Sequence, residues 1–250
     1  LTISGPEADL QRFKECAKGK ESGDGQEYVL DANKFIPMPD SLNIESGSQD
    51  VLYDVWFGKM PEVEWLPKDR EAAKGQLRKE YKERKEPLDA DKIAEQYKFN
   101  VDNYGCKTWY EWHLRYWGCK WNFSEPSLRE ENGALIYAFS SAWSPMIPVI
   151  RKMGEMFPML RFEMEYDEES HAFVGKFVVW HGMILEDESH EPAPEEYMSE
   201  EEIAESMEEQ LQDIDDHLAE SGEKGEELRH QKKGEESMLP RYAHLREGNE

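Results

Sequence analysis

Two hydrophobic periods alternate along this chain, and the switches between them outline its elements. Leu1 and Ile3 share one face of a short strand over residues 1–4. Leu10, Phe13 and Ala17 then recur at helical spacing and predict a helix over 6–18. Pro6 stands at its first position, Glu7 and Asp9 in its first turn, Lys14 and Lys18 late, and Gly19 just past the stop. A glycine-rich loop (19–25) leads to a second strand near Tyr28–Leu30 and a turn, Phe35-Ile36-Pro37-Met38-Pro39. Residues of about 40–103 read as an insertion. It holds an irregular apolar run at Val51–Phe57 and a segment, Lys68–Glu86, with eight bases and five acids. That segment is expected to be a solvated helix with i,i+4 pairs, the other reading being a basic contact surface. Asp89–Asn103 continues as helix, with Ile93 and Tyr97 on one face.

Beyond the insertion the periods sharpen. Thr108 and Glu111 have the spacing of a capping box opening a short helix with Trp112, His113 and Tyr116. A βαββ pattern follows: strand Ala134–Ser140, a helix after Pro145 through Met146, Val149, Ile150, Met153 and Phe157, strand Leu160–Tyr166, and a return through Phe173, Gly175, Phe177 and Val179. His181-Gly182 then turns the chain toward Met183–Leu185. Ser144, just before Pro145, fits a helix cap better than a nucleophile, because no GxSxG elbow surrounds it. Past a Pro192/Pro194 linker, Ser199 and Glu202 make a second capping box. Ile203, Met207, Leu211, Ile214 and Leu218 form one narrow apolar stripe, ended by Gly222. Residues 223–250 lack periodicity and are expected to be flexible, with Met238–Leu245 as a segment able to re-dock. The reading is one domain over 1–188 and an acidic helical or flexible tail over 189–250.

Charge changes this picture. The chain carries 55 Asp+Glu against 30 Lys+Arg, a net of −25, and −17 of it falls in residues 186–250. Phosphate neutralisation needs clustered Lys and Arg, so direct nucleic-acid binding is disfavoured, while attraction to basic protein surfaces is favoured. Three cysteines without CxxC spacing suit a reducing, cytoplasmic setting. No apolar run approaches ~18 residues, so no membrane span is expected. Leu1 lies inside a strand, and the true start is expected upstream.

The densest signal is Tyr104–Asn122, which holds four of the eight tryptophans: Trp109, Trp112, Trp117 and Trp121. Such aromatic density marks a core centre or a recognition surface. Lys120, between Trp117 and Trp121, reads as a structural lysine over an aromatic core, preferred here, or as a cation held against indoles for a phosphate or carboxylate. Trp109, Trp117, Lys120, Trp121 and Trp143 form the candidate cluster. Cys106, His113 and Cys119 fit no common zinc spacing, so no metal and no cofactor is expected. The hairpin His171–Trp180 is only faintly like an RNA-recognition strand, and Glu163 and Glu165 beside it would repel phosphate.

Several motifs carry a resemblance: Leu1-Thr2-Ile3-Ser4-Gly5-Pro6, Asn33–Pro39, Trp109–Trp112, Trp117-Gly118-Cys119-Lys120-Trp121-Asn122, Ala142-Trp143-Ser144-Pro145 with Pro148-Val149-Ile150, and the Phe157-Pro158 to Gly175 hairpin. In these the chain resembles the YubB-type ferredoxin-like family, carried mostly by phages and conjugative plasmids. The resemblance covers most of residues 1–185 and implies an α+β fold, a ferredoxin-like antiparallel sheet with helices on one face. It implies no activity and no catalytic residue.

The functional expectation is a non-enzymatic, cytoplasmic interaction protein of a mobile element. It would inhibit a basic, nucleic-acid-handling host protein, such as a restriction or CRISPR-type defence complex. Glu200, Glu201, Glu205, Glu208, Glu209, Asp213 and Asp216 would supply contact as a nucleic-acid mimic. A helix docked by one stripe on its own domain, or self-association through that stripe, are the other readings of this segment. Two further alternatives are a single-stranded nucleic-acid module using the sheet and Lys68–Lys85, and an enzyme of unknown reaction near His113, Lys120 and Trp143.

Overall fold

The computed structural model describes residues 1–20, 27–44, 51–170, 172–193 and 198–220. Most of the glycine-rich loop, Pro194, Gly222 and the whole of 223–250 with Met238–Leu245 lie outside the described residues. By internal contacts the chain divides into two units, one of residues 1–166 with 176–188, the other of 167–175 with 189–250.

The first unit begins with β1 (Thr2–Ser4) and α1 (Glu7–Ala17). Pro6 is the residue that caps α1 rather than its first member. Gly19 follows in extended backbone, not in the left-handed turn a helix stop suggests. Its glycine is required because a Cβ there would sit 2.2 Å from Asp31 Oδ2. It opens a small hairpin of β2 (Gly19–Lys20) and β3 (Glu27–Tyr28). That hairpin is shorter than the expected strand, and Leu30 is buried in the core without belonging to it.

Next come α2 (Leu52–Trp56), α3 (Arg70–Lys82) and α4 (Ala90–Tyr104). The apolar run at 51–57 is thus a short helix. The charged segment is not solvated all round. Ala73, Leu77 and Tyr81, four residues apart, bury one face against Leu52, Val55, Ala94 and Tyr97. The insertion therefore has its own small core. Asp91 on α4 ties its helices together, accepting from Arg78 Nη2 at 2.7 Å and Trp56 Nε1 at 3.0 Å. Those donors, Arg78 first, hold its carboxyl down at about 2.

After α5 (Trp109–Tyr116) come β4 (Ser124–Glu131), β5 (Ala134–Ser140), α6 (Ile147–Met156), β6 (Arg161–Asp167), β7 (Val174–Trp180) and β8 (Met183–His190). Sequence periodicity did not predict β4. The signal for it was Asn132-Gly133, which takes the left-handed turn (φ 51° and 74°) that a two-residue hairpin needs. Sheet order is β4-β5-β1-β6-β7-β8. Ile3 of the central β1 faces Leu135 on one side and Phe162 on the other, antiparallel to both. Two interleaved βαβ halves, β1-α1-β4 and β5-α6-β6, give the ferredoxin-like α+β fold, extended by β7 and β8. Leu10, Phe13 and Ala17 of α1 and Val149, Ile150 and Met153 of α6 join Ile3, Tyr137, Phe162, Phe177 and Val179 in the main core. Val178, on the other side of β7, is also buried, which simple alternation does not predict.

Tyr137 has its hydroxyl buried without a hydrogen-bond partner, and desolvation first, then Glu130, pushes that phenol far above its usual range. Tyr137→Phe removes the unsatisfied group and keeps the ring. We expect it to raise stability by about 1 kcal/mol, read as a higher urea midpoint at unchanged slope.

In the second unit, α7 (Glu200–Glu220) starts as the sequence indicates. Ser199 N donates to Glu202 Oε2 at 2.8 Å, and Glu202 N donates to Ser199 Oγ at 3.3 Å. This reciprocal pair satisfies two otherwise orphaned helix-end donors.

Candidate functional site

Every residue of Trp117–Asn122 has a distinct physical role. Trp117 is 1% exposed, donates Nε1–H to Ile36 O at 2.9 Å and stacks on His113 at 3.8 Å. Gly118 has φ 75°, and a Cβ there would meet Pro148 at 3.0 Å. Cys119 Sγ both accepts from Ala142 N at 3.1 Å and donates to Ala142 O at 3.2 Å. Asn122 Oδ1 accepts from Ala32 N and Phe123 N, both at 2.9 Å, while Nδ2 donates to Asp31 at 2.8 Å. These four residues hold the fold. The side chains of Lys120 and Trp121 lie outside the core, Lys120 half-buried and Trp121 49% exposed.

Lys120 Nζ lies 4.4 Å from the Trp121 ring, 5.0 Å from Trp143 and 5.7 Å from Tyr110. Trp109 stacks behind Trp121 at 5.3 Å. The fold therefore brings together Trp109, Lys120, Trp121 and Trp143 of the expected cluster. It sends Trp117 the other way, into the core, where its indole donates to Ile36 O and stacks on His113. Tyr110, the residue after Trp109 on α5, was missed. Its position in the same helix turn was the available clue.

Trp143 is 70% exposed and has φ 67°. Its loop is fastened from below: Ser144 Oγ donates to Gly118 O, Ser141 Oγ donates to Ser144 O at 2.8 Å, and Ala142 is held by Cys119. Ser144 is thus a loop clip, not the helix cap that the sequence suggested. The cap position of α6 is Met146, and Pro148, rather than Pro145, lies in its first turn. Thr108 likewise precedes α5 without capping it. Its hydroxyl is buried and unpartnered, and Glu111 accepts from Lys107 N at 2.6 Å instead.

His113 Nδ1 faces the Lys120 carbonyl at 2.9 Å, which can only accept, so this nitrogen carries the proton. Nε2 is buried without a partner. Burial lowers the imidazole below its ordinary 6.5, outweighing the opposing backbone bond. A histidine held neutral when folded is protonated first when unfolded. Stability is therefore full above about pH 7 and falls as pH drops below 6.5 toward the lowered folded value. We expect His113→Phe, which keeps the stacking ring, to flatten that part of the stability profile. Urea midpoints at pH 7.5 and 5.5 check this.

Beside Trp121 a groove of about 510 Å³ is lined by Tyr28, Phe123, Ser124, Glu125 and Pro126. Glu125 has φ 48°, at a register shift between Ser124 and Ser127 in the β4–β5 ladder. No sequence signal pointed to it.

In the basic segment Lys74, Arg78 and Lys79, three of the eight bases, pair with Glu71, Asp91 and Glu83. On β7, Lys176 lies 2.7 Å from Glu163, 3.8 Å from Glu165 and 3.9 Å from Glu186. Cys106, Cys119 and Cys16 are free thiols, and among the described residues no group of three His, Cys, Asp or Glu is gathered for a metal. Among the described residues no helix is long and apolar enough to cross a membrane.

On α7, Ile203 and Met207 pack with Met198. Glu205, Glu208, Glu209 and Asp213 are exposed. Glu200, Glu201 and Asp216 lie on the same helix.

Residues 117–215 match a family model described as the ferredoxin-like domain in Api92-like protein. The match takes in the Trp117–Asn122 motif and β4 through β8, and reaches into α7. Among solved structures, the chain is similar to a protein api92 from Yersinia pseudotuberculosis. That similarity is 11% identity, covering 76% of this chain and 89% of the other, with a TM-score of 0.33. No curated protein matches the chain.

Proposed function

We propose that this is a non-enzymatic, cytoplasmic interaction protein of a phage or plasmid that binds and inhibits a basic, nucleic-acid-handling host protein, such as a restriction or CRISPR-type defence complex. The observation that carries the reading is the division of α7 into two faces. Ile203 and Met207 are buried, while Glu205, Glu208, Glu209 and Asp213 are exposed. Those four recur at i, i+3, i+4 and i+8, so they share one face over roughly 12 Å of helix. Such a row presents negative charge to a channel built for phosphates, and its field raises encounter rates with a basic surface. The net charge of −25 extends that field. The mobile-element setting rests on the YubB-type resemblance of the motifs.

The test converts Glu200, Glu201, Glu205, Glu208, Glu209, Asp213 and Asp216 to Gln or Asn in the full chain. Host restriction and CRISPR interference are then measured with each form expressed, and circular dichroism verifies that the variant folds. We expect inhibition to be lost and the on-rate for the captured host protein to fall roughly 10- to 1000-fold. Inhibition that survives the swap intact overturns the reading.

A further inference from the structure

We propose that the Lys120–Trp121–Trp143 cage and the groove beside it form a binding site for a small planar ligand with one phosphate, of the nucleoside monophosphate class. This does not rest on the acidic helix, and the two readings fail independently.

Four observations converge. First, in a chain with nearly twice as many acids as bases, no carboxylate among the described residues pairs with Lys120. Its charge is held only by ring faces, at 4.4–5.7 Å. Such contacts leave the ammonium's N–H donors unfilled and available to an anion. Second, Trp143 presents an exposed indole on a backbone that non-glycine residues rarely adopt. Strain of this kind persists only where the surroundings hold it, and the Ser141, Ala142 and Ser144 hydrogen bonds do so. An aromatic side chain fixed outward in this way is a preorganised stacking platform.

Third, the groove shares Trp121 with the cage, and its size falls within the range that encloses small ligands. Fourth, the register shift at Ser124–Ser127 places Glu125, also left-handed, on the groove wall. The exposed Trp143 offers an indole for a ring, and the groove wall offers the Glu125 carboxylate, which accepts from hydroxyl or amino groups. Lys120 supplies a cation for a phosphate at the Trp121 end. A nucleoside monophosphate carries all three counterparts. A longer strand would add phosphates against the chain's net negative charge, so a single nucleotide fits better than a polymer.

The experiment is calorimetric titration of the full chain with 5′-AMP, 5′-UMP, adenosine and inorganic phosphate, alongside ¹H–¹⁵N spectra of the eight indole N–H groups. Ligands are carried to about 5 mM, where even a millimolar site is mostly filled. Saturable nucleotide binding is expected, shifting the Trp121 and Trp143 indole signals. Trp143→Ala and Lys120→Met should each weaken it about tenfold. Both side chains lie outside the core, so these variants should keep the native spectrum. Adenosine and phosphate should each bind at least about tenfold more weakly than the nucleotides. No saturation, equal affinity in the variants, or phosphate alone binding as well as AMP overturns the proposal. Nucleotide binding that survives neutralisation of the α7 acids separates this site from the reading above.

Discussion

Trp117→Ala is expected to cost about 3–5 kcal/mol and to lower the melting temperature by roughly 6–20 °C. Trp117 is enclosed on all sides, so truncation leaves a cavity that its neighbours cannot fill. It also leaves the Ile36 carbonyl without its donor and removes the ring on which His113 stacks. Each loss adds to the transfer term for the indole itself. A control sharpens the claim. Trp121 in the same motif is 49% exposed, so Trp121→Ala should change stability far less while altering the surface around Lys120. Thermal melts of the two variants side by side test whether the motif's two tryptophans divide as described. Near-equal losses would show that they do not.

Phe13→Ala is expected to have a similar effect for a different reason. Phe13 is fully buried and touches four other rings: Phe35 at 5.5 Å, Tyr137 at 6.1 Å, Phe157 at 5.2 Å and Phe162 at 5.4 Å. These come from a loop after β3, from β5, from the end of α6 and from β6, so one side chain joins α1 of the first βαβ half to every element of the second. A loss of about 3–5 kcal/mol is a large part of the 5–15 kcal/mol that typical domains possess. The insertion has a separate apolar cluster that excludes Phe13. Hydrogen exchange should therefore show protection falling in β1, α1, β5 and β6 before it falls in α3 and α4. Uniform loss across both clusters would mean that the insertion is not an independent cooperative unit.

Much of the architecture was legible along the chain. Leu10, Phe13 and Ala17 marked the buried face of α1, and Leu160 to Tyr166 alternated as β6 does, because one-sided burial imposes its period on the sequence. The Ser199/Glu202 box formed as its spacing indicates, since both partners lie within one helical turn. The Thr108/Glu111 box has the same spacing but did not form. Lys107 is close enough to take the Glu111 carboxylate with both its backbone N–H and its ammonium, at 2.6 and 3.4 Å. The stripe Ala73, Leu77, Tyr81 was present in the sequence but was masked by the surrounding charges. The ferredoxin-like order itself follows from the motifs' resemblance and from β1 pairing on both edges, not from any local period.

Local pattern by itself determined the positions of α1, α4, β5 and β6, the tail's acidity and the aromatic density of 104–122. These are short-range or compositional properties, carried by residues a few positions apart. Tertiary structure alone decided what the motif residues do. Trp117 turns inward because its indole finds the Ile36 carbonyl and the His113 ring, while Trp121 stays half-exposed against Trp109. Trp143 meets Lys120 because Cys119 and Ser144 clip one loop to another. Glu125 reaches a groove because a strand register slips. Each depends on contacts between segments distant in sequence, which no local pattern encodes.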